Sequence, residues 1–375
     1  MKILIVEASG RGGLCQHAHN LANALCDRGH AVAVATGVGF ETKGFPRKYQ
    51  ALEALDRFRP RPILLARLFR FVRAFRPDVV HIEAAVHPGS CLAIWKALAP
   101  LVQCPFVYTA HDVFPKKPRF YHPWVLRVIY RGMTHILVNA VQNRQEIVDR
   151  FGVPPERISF VSVGELTAFV RDVPTGPMAG IPPGRKVILF FGIVEPRKGL
   201  MTLIRAFARV RDSLPEAFLV IAGKPYEDSG PYVEEVHKLG LERDVLLRFG
   251  YVPLGEVPAV FGASDVVVLP YDEGWNSGVV LSAYGFGKPV VASAIAGLPQ
   301  EIEDGRTGLL VTPRDPAALA AALVRVLQDG ELRAQMASHV RQAAARNSWP
   351  IIAEATERVY RSVALKVDAG VPRGV

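Results

Sequence analysis

The stretch Val187-Ile188-Leu189-Phe190-Phe191-Gly192-Ile193-Val194-Glu195-Pro196-Arg197-Lys198-Gly199-Leu200 decides the fold. It opens on a continuous apolar run, as a strand does when both faces of its sheet are covered. A turn with two adjacent cations follows, and an amphipathic helix reads from Leu200 to Asp212. The same alternation of short β-rich runs and helical stretches extends through the chain, so the class is α/β with doubly wound parallel sheets. In the first half, strands are expected near Ile3–Glu7, Ala31–Thr36, Val79–Glu83, Phe106–Ala110, Ile136–Asn139 and Ile158–Val163. In the second half they are expected near Val187–Gly192, Phe218–Ala222, Val245–Phe249, Val266–Leu269, Pro289–Ser293 and Gly308–Val311. Leu14–Arg28 and Pro316–Leu327 read as helices between them.

The chain has 375 residues, enough for two such domains. The Pro/Gly cluster across 168–184 cannot continue a helix or a central strand, and it reads as a linker. The expected domains are therefore 1–167 and 185–348. Charge is uneven between them. Residues 1–167 hold 22 Lys/Arg and 12 Asp/Glu, a net of +10, whereas 168–375 hold 23 of each. An anionic partner is expected to meet the first half: a phospholipid surface, a lipid-linked phosphate or an acidic glycan. Zinc spacings, an aromatic RNA-reading signature and a basic tail are lacking, which argues against nucleic acid. Cys15, Cys26, Cys91 and Cys104 form no CxxC and read as reduced structural thiols, consistent with a cytoplasmic setting. Glu7 cuts short the apolar start, which reads as a strand rather than a signal segment. Pro62–Arg76 patterns as a helix, with Leu64, Leu65, Leu68, Val72 and Phe75 on one side and Arg67, Arg70, Arg73 and Arg76 across the other. A core-packing helix satisfies that pattern. So does peripheral attachment at the inner face of a membrane, aided by Lys116, Lys117 and Arg119.

Three segments carry chemistry. Gly10-Arg11-Gly12-Gly13 follows the first strand and opens a helix, where glycines let backbone approach a ligand and the helix start favours an anion. A plain tight turn would use the same glycines. Arg197-Lys198 lies on the turn after a buried strand, where open α/β sheets bind ligands, and offers a fork of donors and a point charge to a diphosphate. A solvated basic turn is the plain alternative. The third segment, from Leu269 to Ser293, reads strand, loop, helix, strand, with Ser277 as N-cap over amides suited to phosphate oxygens.

Together these pieces resemble the retaining glycosyltransferase family 4, of the GT-B fold. The resemblance rests on Gly12-Gly13, Arg28-Gly29-His30-Ala31-Val32, Pro77-Asp78-Val79-Val80-His81 and Thr109-Ala110-His111-Asp112 in the first half. In the second it rests on Arg197-Lys198-Gly199, Phe249-Gly250-Tyr251-Val252, Ser264–Pro270 and Gly287–Ser293. It implies two Rossmann-like domains facing across a cleft, an N-terminal one for the acceptor and a C-terminal one for a nucleotide-sugar donor. It also implies a last helix, within 349–375, that crosses back to the first domain.

The resemblance implies that Arg197 and Lys198 hold the donor diphosphate and that His111 sits by the donor sugar. Gly12, Gly13, Ser277, Gly278 and Val279 would bind the donor. Many members carry Glu-x7-Glu in the third segment. Here Gly274 and Ser282 occupy those places, Glu273 stands one step early as the candidate stand-in, and Ser282 is left to meet the ribose. No Asp-x-Asp occurs, so neither a metal nor another cofactor is expected. The expected activity is transfer of a hexose to a glycan or lipid-linked acceptor in bacterial surface or exopolysaccharide assembly. A non-catalytic nucleotide-binding relative and a nucleotide-sugar 2-epimerase are the alternatives.

Overall fold

The computed structural model describes all residues except 57–60, 84–87, 116–117, 175, 274–276, 296 and 369–375. Lys116, Lys117 and Gly274 therefore lie outside the described residues. The chain forms two compact units, Met1–Leu166 with Asn347–Val375, and Thr167–Arg346.

The first unit is built on a seven-stranded sheet of β1 (Lys2–Glu7), β2 (Ala31–Gly37), β3 (Gln50–Leu55), β4 (Val79–Glu83), β5 (Phe106–Ala110), β6 (His135–Val138) and β7 (Ile158–Phe160). Their order is β3-β2-β1-β4-β5-β6-β7, and every pairing is parallel. The order reverses direction at β1, where Val6 pairs with Ala35 on one side and Ile82 on the other. Parallel neighbours need crossovers, and the helices Gly12–Asp27, Pro62–Phe75, Pro88–Leu98, His122–Gly132 and Val141–Phe151 supply helical connections. One face closes on a core that includes Leu4, Val80, Ile82, Tyr108, Tyr130 and Ile136.

β3 was not expected. Gln50-Ala51-Leu52-Glu53-Ala54-Leu55 consists largely of helix-favouring residues, and pairing with β2 from Ala33↔Gln50 onward overrides that preference at the sheet edge. The helix Pro62–Phe75 buries Leu68 and Val72 and leaves Arg67, Arg70, Arg73 and Arg76 exposed.

The second unit holds a six-stranded parallel sheet of β8 (Lys186–Phe191), β9 (Ala217–Gly223), β10 (Val245–Phe249), β11 (Val266–Leu269), β12 (Val290–Ser293) and β13 (Gly308–Val311). Its order is β10-β9-β8-β11-β12-β13, so β8 occupies the switch position that β1 occupies in the first unit. Phe190, Leu203, Phe207, Ile221, Val268 and Leu323 share its core. Fully burying a side chain such as Phe207 contributes about 1.5–3 kcal/mol. The helix Pro316–Gln328 starts where sequence says it should. The Asp315 carboxylate accepts from Ala317 N and Ala318 N, and Pro316 needs no donor at the first position.

The Pro/Gly-rich segment 168–184 packs with the second unit rather than standing apart as a linker. Its prolines break regular structure but leave Val170 and Met178 able to bury themselves. The last helix, Trp349–Asp368, belongs to the first unit and packs on Gly12–Asp27. It is held by buried Ile352, Ala353 and Tyr360, and by the ion pair of Glu357 with Arg28. Among the described residues, no helix is long and apolar enough to cross a membrane.

Candidate active site

In both units the chemistry gathers at the carboxyl ends of the parallel strands, where a switch in strand order leaves a crevice.

In the first unit, β1 ends on Glu7. Its buried carboxylate accepts from Ser9 N (2.7 Å), Gly10 N (3.0 Å) and Thr36 Oγ1 (3.0 Å). Burial pushes the Glu7 carboxyl above its ordinary value, and these hydrogen bonds oppose the shift. They curl the chain into the glycine turn. Gly10 lies in the left-handed region (φ +62), and a Cβ there would come within 3.2 Å of the Gly37 backbone, so the turn nests against the end of β2. The helix then starts at Gly12 with no side-chain cap from Arg11. Ser9, Gly10, Arg11, Gly37, Leu55, Asp56 and Arg61 line a cavity of about 370 Å³ over this turn.

Beside it, the ends of β4, β5 and β6 bring together Glu83, His111 and Asn139, and His17 joins them from the first helix. The Glu83 carboxylate is fully buried and meets His111 Nε2 at 2.7 Å and His17 Nδ1 at 3.2 Å. Burial opposes its ionisation, but the neighbouring His17 and the hydrogen bond from His111 outweigh that and hold it well below the usual carboxylate range. Asn139 Nδ2 lies 2.8 Å from His111 Nδ1. Both ring nitrogens of His111 are thus engaged within the first unit, which fixes the ring while leaving a fifth of the side chain exposed. Sequence reasoning singled out His111 and missed Glu83, His17 and Asn139. Three of these four stand at adjacent strand ends, and the strand order would have grouped them.

In the second unit, Arg197 and Lys198 occupy a 3-10 turn after β8. The turn must close through glycine: Gly199 has φ +66, and a Cβ would fall 1.7 Å from Pro270 O. Arg197 is ion-paired with Glu195, and its carbonyl accepts from Asp272 N and Glu273 N. Lys198 Nζ lies 3.5 Å from the centre of the Tyr271 ring, a cation–π contact. The Tyr271 hydroxyl in turn reaches Ser277 Oγ at 3.1 Å. Ser277 caps the helix Gly278–Gly285, accepting from Val279 N at 3.4 Å. One chain of contacts therefore ties the cationic turn to the helix start expected to receive phosphate.

Glu273 is placed differently. Its backbone is tied to the turn, but its side chain is 71% exposed, with Arg314 Nη2 3.6 Å away. Arg314, itself in a left-handed conformation (φ 58), also reaches Asp272 at 3.6 Å. Ser282 is buried within the helix. Sequence reasoning also missed Glu301. Its carboxylate receives a hydrogen bond from the Ser277 N–H, and burial pushes its pKa up to about 7.

Two doubly wound units with strand-end sites, and a cationic turn beside a capped helix in the second, define the GT-B class. Residues 11–164 match the model for Glycosyltransferase Family 4, and residues 185–329 match that for Glycosyl transferases group 1. D-inositol 3-phosphate glycosyltransferase of Corynebacterium jeikeium is 30% identical over 290 residues, covering 71% of this chain and 68% of the relative. The chain belongs to glycosyltransferase family 4. The protein of the same name from Corynebacterium efficiens is 32% identical over 255 residues, 64% of this chain. That match spans 59% of the relative, so the chain accounts for less than two thirds of its length. Among solved structures, the fold is similar to sucrose-phosphate synthase from Thermosynechococcus elongatus (TM-score 0.72, 21% identity, 98% and 100% of the two chains). It is also similar to Anabaena HepE in complex with UDP-glucose (TM-score 0.72, 20% identity, 96% and 100%).

Proposed function

We propose that this chain transfers a hexose from a nucleotide-diphosphate sugar to a glycan or lipid-linked acceptor, with retention of configuration, in bacterial surface polysaccharide assembly. The observation that carries the reading is the linked set Arg197, Lys198, Tyr271 and Ser277 after β8 and β11. Breaking a sugar–phosphate bond leaves growing charge on the departing diphosphate. A guanidinium, an ammonium and the positive end of a helix, already fixed before the reaction, stabilise that charge without reorganising. In this reading the cations do what a bridging metal does elsewhere. Anabaena HepE, of similar fold, is described with UDP-glucose, which supports a nucleotide-sugar donor.

The first unit serves the acceptor. Arg11 and Arg61 line its cavity, which suits an acceptor bearing phosphate or another anion. The phosphate in the name of the inositol 3-phosphate relatives agrees with that chemistry. Membrane contact fits the same unit: Phe120 (96% exposed) and Trp124 (64% exposed) stand among exposed Arg119 and Arg127.

The test is nucleotide release measured with UDP-, GDP-, ADP- and dTDP-sugars, with and without sugar-phosphate and lipid-linked acceptors. Acceptor-dependent release from one donor class is expected. Sugar isomerisation without an acceptor would replace this reading by an epimerase, and binding without turnover would replace it by a nucleotide-binding protein.

A further inference from the structure

The Glu83 cluster has a feature that the transfer reading does not use. One ring nitrogen each of His17 and His111 and a Glu83 carboxylate oxygen all lie within 4.8 Å of one another. Two of these donors, His17 Nδ1 and Glu83 Oε1, are buried with no hydrogen-bond partner. They approach to 3.2 Å, but not along a direction that makes a hydrogen bond. His17 and Glu83 are both more than nine-tenths buried, so water does not compensate them. Native structures rarely leave such atoms unmet, and an exception points to a missing partner.

We propose that His17, Glu83 and His111 bind one divalent ion of the zinc class. Two imidazole nitrogens and one carboxylate form a donor set suited to zinc, with the fourth position open to water or a ligand. Bonds of about 2.0–2.1 Å in a tetrahedron place donors about 3.3 Å apart. His111 Nε2 stands 2.7 Å from Glu83 Oε2 and His17 Nδ1 3.2 Å from Oε1, so the histidines meet opposite oxygens of one carboxylate, and a single ion would draw the three side chains to that spacing.

The surroundings separate ligands from supports. His81 Nε2 is 3.7 Å from Glu83 Oε1 but is not a donor to the ion. Thr109 Oγ1 and Tyr360 OH engage its two nitrogens, each at 2.6 Å. Asn139 stands behind His111 at Nδ1, where its amide, turned to present oxygen, would accept the ring proton that coordination through Nε2 leaves there. Trp349 packs edge-on against His17, with ring centres 5.1 Å apart. The partial exposure of His111 gives the ion a way in.

The full chain, stripped with a chelator, is titrated with Co²⁺ and then Zn²⁺. One equivalent of Co²⁺ should produce the visible absorption of a four-coordinate N/O site, and one equivalent of Zn²⁺ should abolish it. His17→Ala and Glu83→Gln should each weaken binding at least about tenfold. His237→Ala, at an exposed histidine of the second unit, should leave it unchanged. If Glu83→Gln fails to fold, judged by circular dichroism, His17→Ala alone carries the comparison. Absorption no different from that of the free ion, or undiminished in His17→Ala, would overturn the proposal and leave the cluster holding only a proton.

Discussion

Glu301 carries the most strongly displaced carboxyl of the second unit. One oxygen is buried without a partner, and its compensation comes from the Ser277 N–H. Desolvation raises its folded pKa to about 7 against an ordinary 4.5. The folded state therefore holds this proton more tightly than the unfolded state. Stability is greatest below the unfolded value, declines as pH rises from about 4.5 to about 7, and stays lower above that. Glu301→Gln cannot ionise and escapes the decline. Its stability relative to the parent should rise by about 1–3 kcal/mol between pH 5 and pH 8, read from thermal or urea denaturation. An offset that is the same at both pH values would mean that Glu301 is solvated like a surface carboxylate. The same residue shows why part of the site escaped the sequence. Arg197, Lys198 and Ser277 announce themselves by position beside strand and helix ends. Glu301 looks like any acid before a Gly-rich turn, and only packing brings it to Ser277.

At the scale of elements, a buried hydroxyl of the last helix meets the first sheet. Tyr360 OH meets His81 Nδ1 at 2.6 Å, both groups being fully buried. Burial lowers the His81 pKa to about 4, so the ring stays neutral and needs both of its partners. Tyr360→Phe keeps the packing and leaves His81 Nδ1 unmet. It should cost about 1–3 kcal/mol in urea denaturation, the penalty for an orphaned buried polar atom. Loss of less than a few tenths would show that this hydrogen bond adds nothing to the Arg28 ion pair, the Trp349–Glu165 hydrogen bond and the apolar contacts that hold the helix. Most elements were legible from sequence because parallel strands are written in Val, Ile, Leu and Phe. Val266–Leu269 and Gly308–Val311 fall where they were expected. β3 was not legible, since Gln50, Ala51 and Glu53 carry no such signature and a neighbouring strand dictates their conformation. The Glu83 cluster was hidden for a related reason. Its members are separated by up to 122 positions, from His17 to Asn139, and become neighbours only through the order β1-β4-β5-β6.

For the molecule as a whole, charge divides between the units. The basic excess of residues 1–167 and the exposed pair Phe120 and Trp124 lead to one expectation. Co-sedimentation with vesicles should require anionic lipid, weaken with salt and fall in Phe120→Ser/Trp124→Ser. Equal binding to neutral vesicles, or none to either, would remove the membrane from the account. The second unit, Thr167–Arg346, has 19 Lys/Arg against 20 Asp/Glu, and sets two adjacent cations, Arg197 and Lys198, on the turn after β8. The most direct test of the central claim is kcat/KM for donor in Arg197→Ala and Lys198→Ala. Each substitution should cost about 2–4 kcal/mol of transition-state stabilisation, with the thermal midpoint nearly unchanged because both residues lie on an incompletely buried turn. Near-normal kcat/KM in both variants would contradict the account and place the departing diphosphate elsewhere.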